Sequence, residues 1–115
     1  MRTERGQVYR AVLELPSGGP KTKQLTKYVV ALQGGRAFET LNDVAVVIAS
    51  TKRRNDTRPF EVDVGTNDGF AHSTVIDCRW VRTLAKSDLG RFPEFTLPAA
   101  VMEAVSVALV HGLQL

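Results

Sequence analysis

The chain has 115 residues and a formal net charge of +3, with 43% apolar and 23% charged residues. These proportions are globular and exclude a disordered or fibrous chain; the length predicts a single domain over residues 1–115 that buries roughly 65% of its unfolded surface around one core. The lone cysteine, Cys78, excludes an internal disulfide and a thiolate metal site, and Arg2, Glu4 and Arg5 leave no room for an apolar signal segment, so the expected location is a reducing cytoplasm.

Gln7 to Leu15 sets Tyr9, Ala11, Leu13 and Leu15 against Val8, Arg10, Val12 and Glu14, the period-2 pattern of a first strand with one apolar face. The turn residues Pro16-Ser17-Gly18-Gly19-Pro20 stop it and predict a mobile loop from about Pro16 to Leu25, lysine-rich at its far end. Thr26 to Gln33 reads as a second strand, wholly apolar from Tyr28 to Leu32, and Gly34-Gly35 ends it. Phe38 to Asn42 fits a helical turn or an ordered loop equally well.

Val44 to Ala49 is a continuous apolar run, too short for a membrane span and β-branched enough for a strand buried on both faces. Phe60, Val62 and Val64 then alternate with Glu61 and Asp63, so Val44–Val64 is predicted to be a hairpin. Between the strands lie two hydroxyls, Ser50 and Thr51, and four cations, Lys52, Arg53, Arg54 and Arg58, chemistry that suits a phosphate. Gly65-Thr66-Asn67-Asp68-Gly69 predicts a turn, and His72 to Leu84 supplies two short strands or one bent one.

Leu97 to Leu109 is the one convincing long helix, capped by Thr96 or Leu97 with Pro98 in its first turn and Gly112 near its end. Val101, Val105, Ala108 and Leu109 share a face, but Ala104, Val107 and Val110 are apolar too, and Glu103 is the only charge. It is shorter than the roughly 20 residues of a membrane span. Burial between the rest of the domain and a second copy of the chain is expected, with insertion deep into one domain as the competing arrangement.

Seven of the fifteen cations fall in two segments: Lys21, Lys23 and Lys27, then Lys52, Arg53, Arg54 and Arg58. If these are neighbours they form a basic groove for nucleic acid; otherwise they are solvated loops. Trp80 is either a core or edge aromatic or a surface on which a base stacks. His111 falls in the last helical turn, where support of a helix end is the commoner role. His72 precedes a strand and is read as a surface residue, and Cys78 as an inert small hydrophobe. There is no Gly-rich phosphate loop, zinc-ligand spacing or carboxylate pair, so no cofactor or metal is expected.

The strand that ends in Ser50, the polar loop and Pro59-Phe60-Glu61-Val62 resemble the central segment of the MazF/PemK toxins. Arg5-Gly6-Gln7-Val8-Tyr9, Lys27-Tyr28-Val29-Val30-Ala31-Leu32, Thr74-Val75-Ile76, Val81-Arg82-Thr83-Leu84 and Lys86-Ser87-Asp88-Leu89-Gly90 resemble family segments in the same order, so the match spans nearly the whole chain. The resemblance implies a mainly β fold, an SH3-like barrel of the MazF/PemK/CcdB type with a C-terminal α-helix. It also implies a homodimeric, metal-independent endoribonuclease that cleaves single-stranded RNA and is neutralised by a cognate antitoxin. The family's Arg and Ser/Thr that act on the scissile phosphate correspond here to Lys27 and Ser50, with Thr51 adjacent, and these three are the expected catalytic residues. Lys21, Lys23, Lys52, Arg53, Arg54, Arg58, Arg79 and Trp80 are the expected RNA-binding residues.

The family arginine precedes a proline, whereas Lys27 precedes Tyr28. Lysine donates as a point charge and lacks the planar two-toothed grip of guanidinium, but it also takes part in proton transfer more readily; both roles stay open. Ser50 either donates to a nonbridging oxygen or satisfies its own backbone. Two alternatives remain: a non-cleaving RNA-binding or regulatory relative with the same barrel, and a CcdB-like gyrase poison. The latter needs a C-terminal aromatic segment, whereas this chain ends His111-Gly112-Leu113-Gln114-Leu115.

Overall fold

The computed structural model describes residues 1–16, 19 and 21–115. Six strands form one antiparallel sheet: β1 (Gln7–Pro16), β2 (Thr22–Ala31), β3 (Asp43–Thr51), β4 (Glu61–Val64), β5 (Thr74–Ala85) and β6 (Phe95–Thr96). They are followed by one helix, α1 (Ala99–Gly112), so the protein is mainly β with a C-terminal helix, as predicted. The strand order is β4-β5-β3-β2-β1-β6.

The apolar run of β3 is buried on both faces, and its alternation separates two cores. Val47 and Ala49 join Val8, Val30, Ile76, Cys78, Met102, Val105 and Ala108 in a core beneath α1. Val44 and Val46 join Tyr9, Ala11, Leu13, Val29, Ala31 and Leu89 in the other, which among the described residues takes no side chain from α1. The sheet therefore curls round this second cluster as a barrel does. Burying each Val, Leu, Ile or Met side chain among them contributes about 1.5–3 kcal/mol. The curl is helped by a break in β5: Val46 pairs with Arg82 and Ile48 with Asp77, so Cys78 to Val81 stand opposite Val47 alone.

Three expectations change. The Val44–Val64 hairpin does not form, because β3 and β4 never pair with each other and β5 lies between them, bonded to both. Period-2 alternation identifies a strand but not its neighbour, and the long β5 offers an edge to each. The loop expected over Pro16–Leu25 is shorter, since Thr22–Leu25 pair with β1 from Pro16↔Thr22 to Leu13↔Leu25; Ser17, Gly18 and Pro20 lie outside the described residues. Helix α1 begins at Ala99 with Pro98 as its N-cap, rather than at Leu97. The Leu97 amide donates to the Gly6 carbonyl at 2.9 Å, and a residue before proline is disfavoured in helical geometry.

Phe38 to Asn42 resolves into the end of a 3₁₀ turn over Arg36–Phe38, and His72 to Leu84 into one bent strand. The Lys86-to-Gly90 segment is structural. The buried Lys86 ammonium donates to the carbonyls of Phe38 and Met1 at 2.7 and 3.2 Å, and Leu89 bridges to Ala11. Among the described residues, no helix is long and apolar enough to cross a membrane.

Candidate functional site

The start of β2's apolar run, the end of β3 and the start of β5 meet at one end of the sheet. Tyr28 and Ala49 form the last pair of the β2–β3 ladder, and Lys27 and Ser50 are the next residue on either strand; on the other side of β3, Ser50 pairs with Val75 and Thr51 with Thr74. A cavity of about 220 Å³ opens there, and its lining includes Lys27, Ser50, Thr51 and His72. Its apolar wall is Tyr28 and Phe70, whose rings meet edge to face with centroids 5.8 Å apart. The structure thus brings the three expected catalytic residues together, along with His72, which the sequence reading set aside.

Alternation sorts these side chains further. Lys27 and Ser50 have the parity of Val29 and Ile48, on the side of the curled cluster, whereas Thr26, Tyr28 and Thr51 have that of Val30 and Val47, on the side of α1. Thr74 has the parity of Ile76, so Thr26, Thr51 and Thr74 form a row of hydroxyl residues across β2, β3 and β5, and Val12 extends the row onto β1 through its pairing with Thr26. Lys27 and Ser50 sit beside this row at the rim.

Lys27 is half-buried and has neither a hydrogen-bond nor an ion-pair partner among the described residues. The loop cations differ. Lys52 Nζ donates to Asp63 Oδ2 at 2.7 Å and to Thr57 Oγ1 at 3.0 Å. Arg54 donates to both carboxylate oxygens of Glu61, whose side chain is only 4% exposed. The Arg58 amide donates to the same carboxylate at 3.0 Å, while its Nε lies 3.9 Å from Asp56. Arg53 alone in this loop is exposed with no acidic partner among the described residues. The loop is therefore largely neutralised from within. Burial raises the Asp63 carboxyl, but hydrogen bonds from Lys52 and Thr57 outweigh it and hold its pKa below the usual carboxylate value.

Lys21 and Lys23 are exposed at the start of β2's side of the sheet, Lys23 within the strand and opposite Leu15. Arg79 and Trp80 lie in the break of β5, five and six residues along the strand from Thr74, and do not line the cavity. Trp80 is 63% exposed, so it is a surface aromatic and not part of either core. The Arg79 guanidinium lies 4.7 Å from the centre of the Phe60 ring and 5.7 Å from that of Trp80, and it donates to the Asp77 carboxylate. Burial raises the Asp77 carboxyl while the Arg79 hydrogen bonds lower it further, for a net depression. Cys78 is buried, which pushes its thiol up to about 12, so it is inert as a nucleophile. Among the described residues, no group of three or more His, Cys, Asp or Glu side chains is placed to hold a metal ion.

The sequence reading also missed the reason His72 reaches the cavity. Gly69 adopts φ +110°, and a Cβ there would clash with the Phe95 ring, 2.5 Å from its Cδ2. This tight turn sends Phe70 into the core against Tyr28 and Phe95 and leaves His72 at the cavity mouth.

A family model described as PemK-like, MazF-like toxin of type II toxin-antitoxin system matches residues 4–113. Among solved structures, a mycobacterial endoribonuclease in complex with its cognate antitoxin is 26% identical, with a TM-score of 0.75 over 98% of this chain and 96% of that one. An endoribonuclease from a mycobacterial species is likewise 26% identical, with a TM-score of 0.76 over 98% of this chain and 92% of the other. MazF from Deinococcus radiodurans, at 19% identity, shares the fold with a TM-score of 0.75 over 100% and 99% of the two chains. A comparison with curated proteins gives no match.

Proposed function

The chain belongs to the PemK-like, MazF-like toxins of type II toxin–antitoxin systems, and from that premise we propose that it is a metal-independent endoribonuclease cutting single-stranded RNA. The observation that carries the reading is Lys27, a half-buried cation without an acidic partner among the described residues, lining one cavity with Ser50, Thr51 and His72. A cation held away from carboxylates is available to a phosphate.

In the cleavage step the 2′-oxygen bonds to phosphorus and the phosphorus–O5′ bond breaks. The products are a 2′,3′-cyclic phosphate and a 5′-hydroxyl, with one proton leaving the 2′-hydroxyl and one reaching O5′. Lys27 donates to a nonbridging oxygen as negative charge builds up, and the hydroxyl of Ser50 or Thr51 donates to another. In this reading His72, whose imidazole lines the same cavity, carries the proton between the two oxygens.

The same reading includes a cytoplasmic homodimer, one domain over residues 1–115, and a cognate antitoxin that silences it. Dimerisation is supported by Val107 and Val110, which lie 59% and 46% exposed on α1. The test is cleavage of a diverse pool of single-stranded RNA in chelator. Fragments ending in cyclic phosphate are expected. A requirement for magnesium overturns the mechanism, and binding without cleavage makes the protein a non-cleaving relative.

A further inference from the structure

The cavity at Lys27 does not end at β2. A second opening of about 340 Å³ is lined by Arg10, Thr26, Lys27 and Tyr28, and a third of about 240 Å³ by residues that include Arg10, Val12, Thr26 and Gly90. Thr26 lines all three, and Lys27 and Tyr28 line the first two. The three openings therefore form one trough that runs from His72 across β2 to β1. Its floor is the row Thr74, Thr51, Thr26 and Val12, with Arg10 and Tyr28 paired in the adjoining row.

Arg10 is held in a specific way. Its Nη2 donates to the Tyr28 hydroxyl at 3.2 Å, its Nε lies 3.1 Å from Glu94 Oε1, and its guanidinium sits 5.4 Å from the Tyr28 ring centre. Two edges of the guanidinium are thus engaged, by Glu94 at Nε and by the Tyr28 hydroxyl at Nη2, while 59% of the side chain remains exposed. Glu94 cancels its charge, which makes it a poor phosphate anchor, whereas its open planar face is a surface on which a nucleobase stacks.

We propose that Arg10, pinned by the Tyr28 hydroxyl and Glu94, is a stacking subsite for the base of a nucleotide flanking the bond cut at Lys27. The ligand is one unpaired nucleobase of single-stranded RNA, and recognition is sequence-tolerant, since every base has a π face. This subsite rests on the endoribonuclease reading above.

The test begins by mapping the cut made by the wild-type protein. An RNA with a single 2′-deoxy nucleotide at that cut keeps its bases but lacks the attacking hydroxyl, and it serves as the binding probe. Abasic residues are then walked along it. One offset from the cut should weaken wild-type binding by roughly 5- to 100-fold. Arg10→Ala should bind the intact probe that much more weakly and lose all sensitivity at that offset while keeping it elsewhere; Arg10→Lys, which keeps charge but not the plane, should behave like Arg10→Ala. If wild type cuts and binds but no abasic position loses its effect in Arg10→Ala, or if Arg10→Lys behaves as wild type, the subsite is wrong and the endoribonuclease reading stands. If wild type neither cuts nor binds, the endoribonuclease reading itself fails.

Discussion

The guanidinium of Arg54 grips the carboxylate of Glu61, an acid that alternation alone would place in solvent but that is buried. Removing the arginine strands a buried acceptor, a loss of about 1–3 kcal/mol. Arg54→Ala should therefore lower the urea midpoint, whereas Arg53→Ala, at an exposed side chain, should stay within about 0.5 kcal/mol of wild type. In RNA binding the order reverses: Arg53→Ala should flatten the salt slope by about 0.7, the value of one phosphate contact on a single strand. Equal stability losses in the two variants would contradict the division.

Lys27→Ala should lower turnover about 100- to 1000-fold while leaving RNA affinity nearly intact, because it removes a donor to charge that develops in the transition state. Single-turnover kinetics on one defined RNA measure it. Ser50→Ala and Thr51→Ala separate the two faces of β3: whichever loses the larger rate identifies the hydroxyl that meets the phosphate. Lys27→Arg raises turnover if the residue acts only as a phosphate donor, and abolishes it if the lysine transfers a proton.

Asp63 and Asp77 both have carboxyl pKa values held below their ordinary range in the folded protein, by Lys52 and Thr57 in one case and Arg79 in the other, in each case against the opposing effect of burial. A depressed folded value means the unfolded chain takes up protons first. The associated stability is thus present above the unfolded carboxylate value of about 3.9 and lost as pH falls below it. Thermal unfolding of wild type should shift steeply downward as pH falls below about 4, with a shallower slope in Asp63→Asn and Asp77→Asn. Parallel profiles would show that these pairs carry no acid sensitivity.

Val107→Glu places a charge on the exposed apolar side of α1 without touching Met102, Val105 or Ala108, the helix residues that fill the core. Light scattering should report a dimer for wild type at micromolar concentration and a folded monomer for the variant. A wild-type monomer would mean that α1 serves only its own barrel.

What the sequence made legible was local. Alternation found β1, the apolar run found β3 with both faces buried, and the ordered string of short segments pointed to the family. Pairing partners were not legible, because a period of two specifies which way side chains point and not which edge meets which, and so β5 came between β3 and β4 unannounced. The loop cations looked like a binding patch because their acidic partners, Asp63 and Glu61, belong to the next strand and are brought back only by the path of residues 52–60. The place of His72 depends on the turn at Gly69 and on ring packing at Phe70, neither of which has a sequence period.

The insertion of β5 between β3 and β4 also sets the order in which the chain can assemble. The β1–β2 and β2–β3 ladders join segments that follow one another, so they can close early. The outer edge of β3 and all of β4 wait for residues from Thr74 onward; β4 then closes on β5 locally, but the β3–β5 ladder, from Thr51↔Thr74 to Asp43↔Ala85, joins segments separated by the whole of β4, the slower class of contact in β-proteins. A nascent chain shorter than this has no Thr51–Thr74 step and no partner for β4. Synthesis itself therefore delays the finished cleft until the last third of the polypeptide has emerged.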